Sequence, residues 1–189
     1  MSQLQDLTAL IRANTALIVI ETLDEDRVVD LFRQALMQTW RALHRWTITE
    51  GLRRLDLDRE DAAEGPPDAS YALHAIRQAD QRGIYLLLDF HPYLGYASHQ
   101  RLLRDIIQRR GCEPHVVVLV GRKVELPADL EPLAVRFVPR LPDANALLKM
   151  VREEATAYAH EHGGRRVEAE EDAVRQIVRH LQGDRKSVV

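Results

Sequence analysis

Cysteine is almost missing: Cys112 is the one cysteine in 189 residues. That excludes an internal disulfide and a thiolate-rich zinc site, and it suits a reducing compartment. No apolar run approaches the ~20 residues a membrane span needs. Residues 1–6 carry no basic stretch leading into an apolar one, so no secretory leader is read there. A cytoplasmic protein with no membrane partner is the expectation. Excess charge of either sign is lacking too. The 26 basic and 29 acidic side chains leave a formal charge of -3, so nothing drives the whole chain toward nucleic acid or an anionic lipid surface. Two further gaps bear on chemistry: there is no glycine between Asn14 and Glu50, and no lysine before Lys123.

What is present is an ordinary globular balance, 46% hydrophobic and 29% charged, arranged as alternating strand and helix patterns. Leu4, Leu7, Leu10 and Ile11 share one helical face. Residues 16–22 follow as an apolar, β-branched run with no wet face, which predicts a central strand of a parallel sheet. Asp24 offers an N-cap to a helix whose inner stripe is Val28, Val29, Leu31, Phe32, Ala35 and Leu36. Residues 45–49 alternate and predict a second strand at or near an edge, closed by Glu50, Gly51 and Leu52. Between Asp56 and Ser70 the apolar pattern stops among acids around Gly65-Pro66-Pro67, a solvated loop. Asp68 or Ser70 can cap the next helix, which Gly83 is expected to end.

The strongest strand pattern is 84–90, ending in Asp89-Phe90. A helix over 98–110 is stopped by Gly111, a buried strand is predicted at 115–121, and 134–138 reads as a further strand held between prolines. Repeated strand–helix units predict an α/β fold, a three-layer sandwich with a mostly parallel sheet. Asp143 then caps a long helix over about 144–161, and Gly163-Gly164 separates it from a last helix near 169–181. With no strand between them, these two read as a small helical appendage. The domain reading is therefore 1–142 for the α/β part and 143–183 for the helices. Residues 184–189 continue no earlier pattern and match one reading frame of a common sequencing adapter, so they are expected to be a non-native tail after Gly183.

In open parallel sheets, ligands bind beyond the carboxyl ends of the strands, so the residues there decide the chemistry. After the first strand stands Glu21-Thr22-Leu23-Asp24-Glu25-Asp26-Arg27. A phosphate-cradling loop needs glycines that let successive N–H groups converge, a lysine, and a hydroxyl for magnesium. None is in place, and four acids would face the anion. Like charges ~4 Å apart cost ~4 kcal/mol at an effective dielectric of 20. The acids read more simply as complements to a helix dipole. Asp89 sits where a strand-end, magnesium-binding aspartate would stand, but its neighbour is Phe90 and not a carboxylate able to orient a water. The plainer role for Asp89 is to cap the turn through His91, Pro92, Tyr93 and Leu94. The eight histidines form no metal-ligand spacing, His160 and His162 included. Cys112 has no His or Asp spaced for a triad and reads as a structural thiol. Arg101, Arg104, Arg109 and Arg110, with Arg122-Lys123, form a basic stretch without interleaved aromatics, which reads as solvated surface.

The order of elements resembles a known family. Leu-Ile-Arg-Ala at 10–13, Leu-Ile-Val-Ile-Glu-Thr at 17–22, Trp46 to Leu52, Asp89-Phe90-His91-Pro92-Tyr93-Leu94, Val124 to Leu130 and Leu141-Pro142-Asp143 are together similar to the N-terminal half of the AAA-type ATPases found as chloroplast reading frames (Ycf) in plastids and cyanobacteria. The resemblance implies a degenerate module of the P-loop NTPase class, with Asp89 at a degenerate Walker B-like position and no catalytic residue of its own. It also implies a lid-like role for the C-terminal helices, and a working ATPase module further along the polypeptide that would bind ATP and Mg. Homo-oligomerisation and contact with that module follow as expected partnerships. An arginine finger is expected near the later strands, without spacing that assigns it to Arg122, Arg136 or Arg140.

Two functions are therefore carried forward. The first is a non-catalytic AAA-like domain serving assembly or regulation of the downstream ATPase module. The second is a Mg-dependent phosphotransfer or phosphohydrolase domain in which Glu21, Asp24 and Asp89 converge as oxygen ligands.

Overall fold

The strands form where β-branched and aliphatic residues run without interruption, and in the computed structural model these runs pair into one sheet. The structure describes residues 3–56, 65–109, 114–140, 144–161 and 176. The chain divides into two units, 1–139 and 140–189. In the first, α1 (Gln3–Arg12) leads into β1 (Leu17–Glu21) and α2 (Glu25–Leu36). Next come β2 (Ala42–Thr47), β3 (Gly51–Arg54) and α3 (Ala69–Gln78). Then β4 (Gly83–Leu88), a short 3-10 turn His91–Gly95, α4 (Ala97–Ile107), β5 (Val116–Gly121) and β6 (Ala134–Arg136) complete it. The second unit contains α5 (Ala144–Glu161); the last helix predicted near 169–181 lies, apart from residue 176, outside the described residues.

The sheet order is β3-β2-β4-β5-β1-β6, and every pairing is parallel except the β2–β3 hairpin. Both faces of the central strands are buried because their residues alternate between two cores. Leu17, Val19, Trp46, Tyr85, Leu87, Val117 and Leu119 pack under α3 and α4. Ile18, Ile20, Leu43, Ile84, Leu86, Val118 and Val120 pack under α1 and α2. This is the three-layer α/β sandwich expected from the sequence. A fully buried side chain such as Phe32 or Leu73 contributes ~1.5–3 kcal/mol.

Local chemistry sets the boundaries. Asn14, at φ 56, closes α1 in the left-handed conformation, with Asn14 N–H donating to Ile11 O and Thr15 N–H to Leu10 O, a Schellman ending. Asp24 caps α2 by accepting from Arg27 N–H. Asp68, not Ser70, caps α3 through Tyr71 N–H. Ser70 instead points to α4: its Oγ lies 2.7 Å from His99 Nε2. His99 Nδ1 is 2.8 Å from the Tyr93 carbonyl, which can only accept. The proton therefore sits on Nδ1, and Ser70 donates to Nε2.

Three expectations are corrected. The strand near 45–49 is not closed by Glu50-Gly51-Leu52; Gly51, at φ 73, turns the chain into β3, which covers β2 as the true edge. Arg53 and Arg54 hid β3, because an edge strand tolerates charge that an interior strand does not. Helix α3 ends at Ala79, which is extended, four residues before Gly83. Helix α4 ends at Ile107, short of 110.

Candidate functional site

The connections after β1 and β5 leave on opposite faces of the sheet. Helix α2 lies against the core that holds α1, while Val124 and Leu130 of the β5–β6 connection lie in the core under α3 and α4. The carboxyl ends of the neighbouring strands β1 and β5 are therefore the topological switch point, where a ligand crevice opens in sheets of this kind.

Here the chain ties the strand ends to one another. The β1–β5 ladder runs on past the strands, with Thr22 N–H donating to Gly121 O at 2.9 Å. Glu21 Oε1 accepts Val124 N–H at 2.9 Å and the Arg136 guanidinium at 3.2 Å. Arg136 in turn reaches Glu131 at 3.1 Å and the Val124 carbonyl at 3.2 Å. One carboxylate thus ties β1, the loop after β5 and β6 together.

Between β1 and α2 stand only Thr22, Leu23 and Asp24. Their polar groups are turned inward: Asp24 N–H donates to Thr22 Oγ1 at 3.0 Å, and Asp24 Oδ1 accepts Arg27 N–H at 3.2 Å. Such a turn is far shorter than the G-x-x-x-x-G-K-[ST] loop whose amides wrap a triphosphate. Glu21, Asp24, Glu25 and Asp26 stand around it. Glu25 titrates above the usual carboxylate range, first because it is partly buried, then because Asp89 and Asp26 lie close; Arg45 opposes the shift. A bound phosphate would meet the same negative field. The residues present do not fit the triphosphate of ATP.

Asp89 ends β4 at φ 49, a left-handed conformation that Asp tolerates better than most residues. Its N–H continues the ladder to Val120 O at 2.8 Å. A Cβ built on Gly121 would stand 3.1 Å from Asp89 Oδ1 and 3.2 Å from His91 Nδ1, so glycine lets both side chains close over the end of β5. Phe90 follows as a core residue, packed edge-on against Trp46 at 5.1 Å.

The structure does not gather Glu21, Asp24 and Asp89 as the metal reading requires. Glu21 is engaged by Val124 and Arg136, Asp24 caps α2, and among the described residues no three His, Cys, Asp or Glu side chains are grouped to hold a metal ion. The arginine stretch also dissolves as a face. Arg101 pairs with Asp105, Arg104 with Asp129 and Lys123 with Glu125, while Arg109 donates to the Ala79 carbonyl. Arg110 and Cys112 lie outside the described residues. No described helix is long and apolar enough to cross a membrane. Sequence reasoning missed the Glu21–Arg136 link, since 115 residues separate the partners; a strand-final acid in a turn without lysine was the available signal.

A mostly parallel six-stranded sheet with helices on both faces defines a doubly wound α/β module. The chain belongs to the family described as SpoVK-like AAA ATPase, N-terminal domain, which matches residues 3–138. It is also similar to two curated proteins named "Uncharacterized AAA domain-containing protein ycf46". The one from Trieres chinensis is 23% identical over 143 residues, covering 75% of this chain and 29% of that protein. The one from Guillardia theta is 26% identical over 140 residues, covering 69% of this chain and 26% of that protein. The chain thus spans less than a third of the length of these relatives.

Proposed function

We propose that this chain is a non-catalytic AAA-like N-terminal module, which neither binds nor hydrolyses nucleotide and serves the assembly or regulation of a downstream ATPase module. The observation that carries this reading is the three-residue β1–α2 turn, self-bonded and acid-lined, where a nucleotide would need converging amides and a lysine. In this reading Asp89 occupies a degenerate Walker B-like position, and ATP and Mg act in the downstream module of a cytoplasmic homo-oligomer. The α/β part runs over 1–142, and 143–183 begins a lid-like helical subdomain.

Titration calorimetry of the purified chain with ATP and magnesium tests it. No saturable heat is expected at micromolar ATP. Micromolar binding that disappears on Asp89→Ala would refute the proposal.

A further inference from the structure

Where the amino end of α3 meets α4, a hydroxyl and an imidazole are set against each other. Asp68 takes the capping duty of α3, so the Ser70 hydroxyl turns to α4 and donates to His99 Nε2 at 2.7 Å. His99 Nδ1 in turn donates to the Tyr93 carbonyl at 2.8 Å. A carbonyl can only accept, so the imidazole is held in the tautomer whose Nε2 lone pair faces the serine. The turn that carries this carbonyl is itself anchored: Tyr93 N–H donates to Phe90 O at 3.0 Å, and Gln100 Nε2 donates to Leu94 O at 2.7 Å. Hydroxyl, base and orienting acceptor thus form a chain of hydrogen bonds, the arrangement that makes a serine nucleophilic.

The base is screened, and the nucleophile is within reach of solvent. His99 is 7% exposed, walled by the rings of Phe90 at 6.2 Å, Tyr93 at 6.5 Å and Tyr96 at 5.4 Å. Ser70 is half-buried, and residues 65–68 before it are exposed. Tyr96 stands edge-on to the imidazole and is 63% exposed, which leaves an aromatic ring open beside the base.

We infer that Ser70 is an acyl-accepting nucleophile, with His99 as its general base and the Tyr93 carbonyl positioning that base, and that it takes an acyl group from an activated ester of an aromatic alcohol. Ser70 Oγ attacks the ester carbonyl carbon as its proton passes to His99 Nε2. The carbonyl electron pair moves to oxygen and returns as the bond to the phenolate breaks; the phenolate then takes the proton from Nε2. Ester and serine become acyl-serine and phenol. While the imidazole carries both protons, Nδ1–H stays on the Tyr93 carbonyl, so the ring does not turn away from the serine. Tyr96 gives the aromatic leaving group a ring to pack against. The step is a single covalent modification of the chain and not a turnover. It involves neither the β1–α2 turn nor Glu21, so its test is independent of nucleotide binding.

The probe is p-nitrophenyl acetate, added to the full folded chain, with the acetylated residues located by mass spectrometry of the peptides. Exposed Ser98 is the internal reference: it adjoins His99 in α4, and adjacent residues of a helix do not face each other. Ser70 should be acetylated at least about 100-fold faster than Ser98, the low end of what a positioned base supplies. In urea that advantage should vanish, because serine and imidazole meet only in the folded chain. His99→Gln, checked for folding by its urea transition, should remove the advantage as well, and Ser70→Ala should lose the matching release of p-nitrophenolate. Acetylation of Ser70 no faster than that of Ser98 overturns the inference, as does an advantage that persists in urea or in folded His99→Gln. Acetyl found on His99 and not on Ser70 overturns it too.

Discussion

Acidification from about pH 7.5 to about pH 5 is expected to remove about 2 kcal/mol of stability through His44 alone. His44 lies on β2 at 8% exposure, stacked on Tyr85 with ring centroids 4.8 Å apart and planes within 14°. Burial is the main cause that lowers its pKa to about 4, Arg54 and His115 add to it, and Asp56 opposes it. The unfolded chain takes up this proton near 6.5 and the native one only near 4. The stability is therefore complete above about 6.5 and is lost as pH falls toward 4. At pH 5 the unfolded imidazole is almost wholly protonated and the native one about a tenth protonated, which gives the ~2 kcal/mol.

The test compares the wild-type chain with His44→Phe, which keeps a flat ring against Tyr85 and cannot titrate. Urea unfolding at the two pH values gives two losses of stability. The wild-type loss should exceed that of the variant by about 2 kcal/mol. His115 is lowered by burial and by Arg109 and adds a loss of the same sign, but it is present in both proteins and cancels to first order. Equal losses, within about 0.5 kcal/mol, would refute the claim that the imidazole is neutral and desolvated in the native state.

Two other changes probe the carboxyl edge. Asp24→Ala removes the α2 N-cap and should cost about 1 kcal/mol in the same urea assay, with no change in the slope of the transition. Glu21→Ala leaves Val124 N–H, on a buried residue, without its acceptor and should cost about 1–3 kcal/mol. Glu21→Gln keeps an acceptor oxygen for that amide and should recover more than half of the loss, whereas equal losses would mean that the exposed ion pair with Arg136 dominates.

The layered fold was legible because its signal is local. Strands β1, β4 and β5 are unbroken apolar runs, and α2 carries an inner stripe behind a capping aspartate, so each element declares itself within a dozen residues. Strand β3 was hidden for the opposite reason: with Leu52 followed by Arg53 and Arg54, its identity depends on β2 lying beside it. The candidate site was half legible. The missing glycines and lysine were readable after β1, but the partner that ties the strand ends was not. Arg136 stands on the far edge strand, and no spacing rule connects it to Glu21.

The packing also explains how an AAA-type fold stands with a short, acid-lined β1–α2 turn. The two cores take in Phe90, Leu94, Val124 and Leu130 at the carboxyl end but none of Thr22, Leu23 and Asp24, so the β1–α2 turn is free to change. An open crevice lined by Glu21, Asp24, Glu25 and Asp26 would leave like charges facing one another and the amide of Val124 without an acceptor. Glu21 satisfies that amide and sets Arg136 against the negative field. One carboxylate thus serves both a buried amide and a guanidinium. Building a phosphate-wrapping loop here would require lengthening the β1–α2 turn, supplying glycines and a lysine, and removing Glu21 from Val124 together.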